Sequence, residues 1–303
     1  MDYPTALGDL AAKDDRIMVL TAENRVPVRG LPERLGQRFV DTGIAEQTLV
    51  GMSAGLALRG RIPVAHALAA FLTMRAFEFI RTDVGVSGLP VKLVGFVPGV
   101  LSTANGPTHQ ALEDVALMSG IPNMRVFCPA DAEDLVLGLE AVLADPAPWY
   151  IRYVDRRAAM PHAAFELGRG EVVRRGTDVG LLVYGALFRE AHEAASRLAA
   201  LGLSVRLVNL RTLKPIDEDT IVTTAETTRL VVTIEDHFRA GGLYSIVAET
   251  LFRRRIRTPV HAICLDDRWF TPGSLDQVLE TERLSGAHLA ARVTAALERK
   301  HER

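Results

Sequence analysis

Cysteine is scarce in this sequence: in 303 residues only Cys128 and Cys264 occur, far apart and outside any Cys-x-x-Cys motif. This scarcity excludes a disulfide framework and a structural zinc site, and it favours a reduced, cytoplasmic environment. An excess of charge of one sign is lacking too. The formal net charge is -2, with no stripe of Lys and Arg, so we expect no nucleic-acid partner.

Long apolar runs are also missing. No run reaches the ~18 residues that a membrane-spanning helix needs, and the N-terminus lacks the basic and apolar regions of a signal peptide. The sequence therefore predicts an intracellular protein without membrane contact. Its composition, 48% hydrophobic and 24% charged, is typical of a folded globular chain.

Short apolar runs alternate with segments of helical periodicity along nearly the whole chain. This alternation is typical of parallel sheets with crossover helices. The sequence predicts an α/β fold with two open, largely parallel-sheet domains, residues 1–154 and 178–303, joined by a polar, glycine-marked linker at 155–177. The predicted helices that matter below are Ile44–Arg59, Phe71–Val84, His109–Ser119 and a last helix at Ala287–Arg299.

A first candidate site residue lies in the segment Asp41-Thr-Gly-Ile-Ala-Glu-Gln47. Here a predicted strand runs into a helix, and ligands of open α/β sheets bind outside the carboxyl ends of strands. Glu46, in the first helical turn, would face such a ligand. The simpler alternative is that its carboxylate only complements the helix dipole.

A second candidate lies in Asn105-Gly-Pro-Thr-His-Gln110. Gly106 and Pro107 predict a turn, and Thr108 is the expected N-cap of the helix that begins at His109. The positive end of the helix dipole would disfavour the imidazolium form of His109 and leave a neutral ring able to exchange protons. A loop histidine without a catalytic role is the alternative.

Apolar and small residues at helical spacing mark two further segments. Phe71 and Met74 lie in Ala70-Phe-Leu-Thr-Met-Arg75 and would by default form a core stripe. Gly51 and Gly55 lie one turn apart in a predicted helix, an unfavourable placement that indicates a close helix contact, within the chain or between subunits.

Together these motifs resemble the C-terminal half of transketolases, especially of those encoded as two chains. The resemblance rests on GIAEQ, FLTMRAF, GPTHQALED, PWYIRY, LKPID and IEDHFRAGG. It implies a transferase dependent on thiamine diphosphate (ThDP) that moves a two-carbon ketol, or a related acyl unit, from a donor ketone to an acceptor carbonyl. GIAEQ also occurs in β chains of 2-oxoacid dehydrogenases, so such a chain and a catalytically silent scaffold subunit remain alternatives.

The resemblance also implies the roles of the cofactor-binding residues. The glutamate at the position of Glu46 binds N1′ of the ThDP aminopyrimidine and promotes the tautomer that deprotonates the thiazolium ring. Phe71 would stack on the pyrimidine, and Ile44 and Met74 would line its pocket. Two positions that are often aromatic in one-chain enzymes are Leu68 and Met74 here.

The substrate side is assigned in the same way. His109 matches a histidine that contacts the donor's oxygen atoms, and Asn105 and Val97 stand at positions expected to contact substrate. The sugar-phosphate enzymes usually carry polar or cationic residues where this chain has Val97, Ala104-Asn105 and Cys128. These differences favour a donor or acceptor without a phosphate, or a phosphate bound by the partner chain.

A Gly-Asp-Gly motif, which in the family holds the diphosphate through a metal ion, is absent, because Gly8-Asp9 is followed by Leu10. The resemblance therefore implies that Mg²⁺ (or Ca²⁺) and the diphosphate are bound by a separate, larger partner chain. An α2β2 heterotetramer is the expected assembly. We expect no metal ligand in this chain.

Overall fold

The computed structural model describes residues 1–103 and 105–298. Ala104 and Arg299, the predicted end of the last helix, lie outside the described residues. The strands are β1 (Ile17–Thr21), β2 (Phe39–Asp41), β3 (Ile62–Leu68), β4 (Lys92–Phe96), β5 (Arg125–Phe127), β6 (Trp149–Arg152), β7 (Glu171–Arg174), β8 (Val179–Val183), β9 (Val205–Asn209), β10 (Thr212–Lys214), β11 (Leu230–Phe238) and β12 (Val260–Leu265).

Helices cover both sheets. They are α1 (Tyr3–Lys13), α2 (Leu31–Leu35), α3 (Glu46–Leu58), α4 (Phe77–Phe79), α5 (Asp114–Ser119), α6 (Ala132–Ala144), α7 (Phe188–Ala200), α8 (Glu218–Thr227), α9 (Leu243–Arg253), α10 (Leu275–Thr281) and α11 (Gly286–Glu298). No helix of the described residues is long and apolar enough to cross a membrane.

The strands form a seven-stranded sheet in the order β10-β5-β6-β4-β3-β1-β2 and a five-stranded sheet in the order β12-β11-β8-β9-β7. The pairings between these strands are parallel except those of β10 with β5 and of β7 with β9. Most strand residues are buried, as expected where helices cover both faces of a parallel sheet. The predicted α/β class is confirmed.

Two edge strands differ from the simplest sequence expectation. β7 forms inside the segment predicted as a linker, where polar residues conceal a short antiparallel edge strand. β10 follows the second domain's β9 in sequence but pairs with β5 of the first sheet, with Thr212 opposite Phe127. The chain therefore crosses back to the first sheet before it continues into α8.

Two predicted helices are irregular. The helix predicted from His109 begins only at Asp114, because Ala111 pairs with Gly99 in an antiparallel bridge and so cannot adopt helical hydrogen bonding. The helix predicted at Phe71–Val84 is interrupted by two π-helical turns, Phe71–Arg75 and Ile80–Gly85. Such turns occur frequently at functional sites.

Candidate active site

Glu46 opens helix α3 just beyond the carboxyl end of strand β2. Its N-cap residue, Ala45, has no side chain that could satisfy the first turn, so the carboxylate complements the helix dipole. The side chain is only 3% exposed. Its Oε2 accepts a hydrogen bond of 2.9 Å from Nη1 of Arg75, which gives this buried carboxylate a charged partner at the edge of the first sheet.

The π-helical turn Phe71–Arg75 places an aromatic ring beside this carboxylate. The guanidinium carbon of Arg75 lies 4.2 Å from the centre of the half-buried Phe71 ring, a cation–π distance. Arg75 thus contacts Glu46 and Phe71 at once. It was not predicted as a site residue, although a basic residue four positions after an aromatic one on a helical face is a sequence signal for such contact.

His109 completes the group through Phe71. The two rings meet edge to face, with centres 4.9 Å apart and planes at 65°. The Thr108 hydroxyl donates to the Asn105 carbonyl at 3.3 Å and lies 2.9 Å from Nδ1 of His109. This hydrogen bond fixes the orientation of the imidazole ring beside Phe71.

The predicted reason for a neutral His109 is wrong. Thr108 is not a helix N-cap: Gly106–Thr108 form a single 3-10 turn, and α5 starts at Asp114 with no side-chain cap. His109 therefore does not lie in the first turn of a helix, where a dipole effect would act. Its orientation depends on Thr108 and Phe71 instead.

The other predicted site residues differ in exposure and backbone conformation. Ile44 is 71% and Met74 39% exposed, and Asn105 is exposed. Val97 is half-buried, directly beyond β4, and has φ of 47°. A β-branched residue at positive φ is a true outlier, and such strain tends to accumulate at ligand sites.

Cys128, by contrast, does not face a site. The residue is fully buried, and burial raises the pKa of its thiol well above the ordinary value. It cannot contact a substrate, so its difference from the sugar-phosphate enzymes carries no information about the donor. Ala104 lies outside the described residues.

A buried ion network was missed by sequence reasoning. Arg152, at the end of β6, donates from Nε to Asp114 at 2.9 Å and from Nη1 to Asp236 at 2.8 Å, and all three side chains are at most 1% exposed. The Tyr150 hydroxyl donates to Asp114 at 2.6 Å. These residues come from three of the motifs that carry the resemblance, and they join the two sheets.

Three residues of the second domain near this network, one histidine and two glycines, have structural roles. Nε2 of His237 accepts from the backbone N–H of Ala116 at 3.3 Å, and Gly242 is the N-cap of α9. Gly185, at φ of 65°, forms a turn against Arg152, whose Nη1 would lie 3.4 Å from an added Cβ. These positions belong to the contact between the sheets.

The geometry fits the pyrimidine end of ThDP. The buried carboxylate of Glu46 and the ring of Phe71 both contact the guanidinium of Arg75. A protonated aminopyrimidine is, like a guanidinium, a flat cation with N–H donors in its plane. In the part of the chain that the structure describes, no group of three or more His, Cys, Asp or Glu side chains could hold a metal ion.

Comparison with known proteins identifies the family. Residues 3–159 match the model of the transketolase pyrimidine binding domain, and residues 168–289 match that of the transketolase C-terminal domain. The chain belongs to the transketolase family. Membership implies dependence on ThDP.

Relatives of similar length narrow the class further. A 6-deoxy-6-sulfo-D-fructose transketolase subunit of Clostridium sp. (strain MSTE9) is 34% identical, over 99% of this chain and 95% of the relative. An apulose-4-phosphate transketolase subunit of Phocaeicola vulgatus is 32% identical, over 91% and 90%. A solved split gene transketolase, described as an inactive β4 tetramer, is 36% identical, with a TM-score of 0.89 over 98% of this chain and 97% of that one.

These findings confirm that the chain is the small subunit of a two-chain, transketolase-like transferase. None of them favours the alternatives, a dehydrogenase β chain or a silent scaffold. One-chain 1-deoxy-D-xylulose-5-phosphate synthases are also related, at 34% identity in Synechococcus sp. (strain JA-2-3B'a(2-13)), but the chain spans only 46% of that enzyme.

Proposed function

We propose that this chain supplies the pyrimidine-binding half of a ThDP site. The proposal depends on one observation: Glu46 and Phe71 both contact the same flat cationic group, the guanidinium of Arg75. Glu46 would accept a hydrogen bond from N1′ and keep the proton there, with Phe71 against the ring and Ile44 and Met74 as apolar cover. Bound ThDP supplies the carbanion chemistry that moves the two-carbon unit.

His109 is proposed to orient and polarise the donor. The contacts with Thr108 and Phe71 hold the ring in place, and its other nitrogen, Nε2, would exchange a hydrogen bond or a proton with the oxygen atoms of the donor. Asn105 and Val97 would line the substrate side. The strained backbone at Val97 supports a fixed loop at this point.

The diphosphate and Mg²⁺ (or Ca²⁺) are assigned to a larger partner chain in an α2β2 heterotetramer, in a cytoplasmic setting that the two buried, unpaired cysteines favour. The absence of Gly-Asp-Gly from the sequence supports this division. On α3, an added Cβ at Gly51 or Gly55 would meet none of the described atoms within 4 Å, and Met52 and Leu58 are exposed. This face offers an apolar surface for a second chain.

The donor is proposed to be a ketose. The named substrates of the two transketolase relatives of similar length are a sulfonated and a phosphorylated sugar. A donor without a phosphate remains our proposal for this chain, supported by the apolar Val97. Comparison of kcat/KM for fructose, fructose 6-phosphate and a sulfonated ketose tests it; a preference of ten-fold or more for fructose 6-phosphate over both others, about 1.4 kcal/mol, would reject it.

The division of labour is tested by reconstitution. The chain alone, the large chain alone and the pair are assayed with ThDP, Mg²⁺ and a ketose donor. We expect turnover only from the pair, and none from a pair that contains Glu46→Ala. Turnover by the isolated chain, or parent-like turnover by the variant, would overturn the proposal.

A further inference from the structure

Arg75 occupies both groups that the proposed function assigns to the aminopyrimidine. Its Nη1 lies 2.9 Å from Oε2 of Glu46, and its guanidinium carbon lies 4.2 Å from the centre of the Phe71 ring. The side chain of Glu46 is 3% exposed and that of Arg75 42%. The carboxylate is thus buried beneath an arginine that reaches it from the solvent side.

The π-helical turn explains why Arg75 can reach both groups. Residues four apart on a helical face are neighbours, and the wider π turn, closed by the hydrogen bond from Ala76 N–H to the Phe71 carbonyl at 3.3 Å, keeps residues 71 and 75 on one side. The backbone therefore presents ring and guanidinium together. The arginine itself is partly exposed, so it can leave this position without disturbing the core.

A guanidinium is flat, cationic and rich in in-plane N–H donors, as is a protonated aminopyrimidine. The two cannot lie on the same ring face and on the same carboxylate at once. We propose that Arg75 is a displaceable placeholder: it holds the Glu46 side chain and the Phe71 ring in position until the pyrimidine enters, and it must then swing outward. This inference rests on the proposed function.

The placeholder has a measurable consequence, because cofactor binding must first break the Arg75 contacts. A partly exposed ion pair contributes only about 0.2–1 kcal/mol, so Arg75→Leu should lower the dissociation constant of ThDP by about 2- to 5-fold. Arg75→Lys keeps the charge and loses the flat fork, so its affinity should lie between those of the parent and Arg75→Leu. Arg81→Leu, which removes an exposed arginine from the same segment, is the matched control and should leave the affinity unchanged.

The measurement is equilibrium binding of ThDP, by calorimetry in the presence of Mg²⁺, to the assembled two-chain enzyme. Tighter binding by Arg75→Leu, with no change for Arg81→Leu, is the expected result. Unchanged or weaker binding by Arg75→Leu would overturn the placeholder role. Glu46→Gln separates the two proposals: if it weakens ThDP binding, the pyrimidine site stands whatever Arg75 does, and if it binds like the parent, that site and the placeholder both fail.

Discussion

The two sheets place acidic side chains at comparable positions and use them differently. In the first sheet, the carboxyl end of β2 leads to Glu46, whose charged partner Arg75 is 42% exposed. In the second, β11 carries Glu235 and Asp236, both fully buried. Glu235 caps α9 by accepting from the N–H groups of Leu243 and Tyr244, and Asp236 pairs with Arg152.

The difference lies in what faces each carboxylate. A carboxylate with a movable, partly exposed partner can exchange that partner for a ligand, whereas one with buried partners can only stabilise the fold. Burial raises the pKa of Glu235 to about 8, against the lowering effect of the two backbone donors. We therefore expect an acidic residue near the carboxyl end of a strand to bind a ligand in one domain and to support packing in the other.

The largest effect is expected from the buried network. Arg152→Met leaves Asp114 and Asp236 buried without their cation, so the free energy of unfolding should fall by about 3–5 kcal/mol, measured by urea unfolding. Arg229→Met, in an exposed pair with Asp178, is the control and should change it very little. Equal effects of the two substitutions would contradict the distinction between buried and exposed pairs.

A pair of matched substitutions separates chemistry from stability. Glu46→Gln keeps the shape and the contact with Arg75 but loses the carboxylate, so kcat of the assembled enzyme should fall about 10²- to 10⁴-fold with little change in thermal unfolding. Glu235→Gln keeps the shape of the uncharged acid that the raised pKa of Glu235 favours at neutral pH, so it should change the free energy of unfolding by no more than about 1 kcal/mol while kcat is kept. A reversed pattern would place the site at the second sheet.

The pH dependence of stability should report on His162. Burial alone would lower its pKa, but hydrogen bonds to Asp131 and Glu171 raise it from 6.5 to about 10. Because the folded state binds this proton more tightly, the stabilisation is complete below pH 6.5 and is lost as the pH rises toward 10. Urea midpoints across this range should fall less for His162→Gln than for the parent.

At acidic pH, Glu171 should give stability the opposite dependence on pH. Burial opposes ionisation of Glu171, yet hydrogen bonds from His162 and from the Ala163 N–H lower its pKa from 4.5 to about 2. Its contribution is therefore complete above pH 4.5 and is lost as the pH falls toward 2. If the urea midpoints of the parent and of His162→Gln change in parallel over both pH ranges, then His162 and Glu171 do not determine how stability depends on pH.

The smallest effect on stability is expected at Val97. Relief of its positive φ, of order 1–3 kcal/mol, is offset by the conformational cost of glycine, about 0.5–1 kcal/mol, and by the lost contacts of the half-buried side chain, of order 1 kcal/mol, so Val97→Gly should change the free energy of unfolding little. The freer loop should raise KM for the donor several-fold. Val94→Gly, in the buried part of β4, is the control and should cost several kcal/mol; equal losses at the two positions would argue against strain at Val97.

Sequence reasoning was most successful where the pattern is local. The alternation of strands and helices predicted the α/β class, and the strand-to-helix step at Asp41–Gln47 placed Glu46 at a sheet edge. It failed at His109, because the helix start was inferred from capping residues alone, while the bridge between Gly99 and Ala111 postpones the helix to Asp114. It also missed β7, since a short edge strand gives little periodic signal.

The sequence by itself determined the class of this protein, because motif order and the period of apolar residues are carried by neighbours along the chain. Only the tertiary structure decided which polar groups meet. Arg75 reaches Glu46 across 29 positions, and Arg152 reaches Asp236 across 84. Those contacts depend on how helices and sheets pack, and that packing determines which carboxylate is left with a partner that can move.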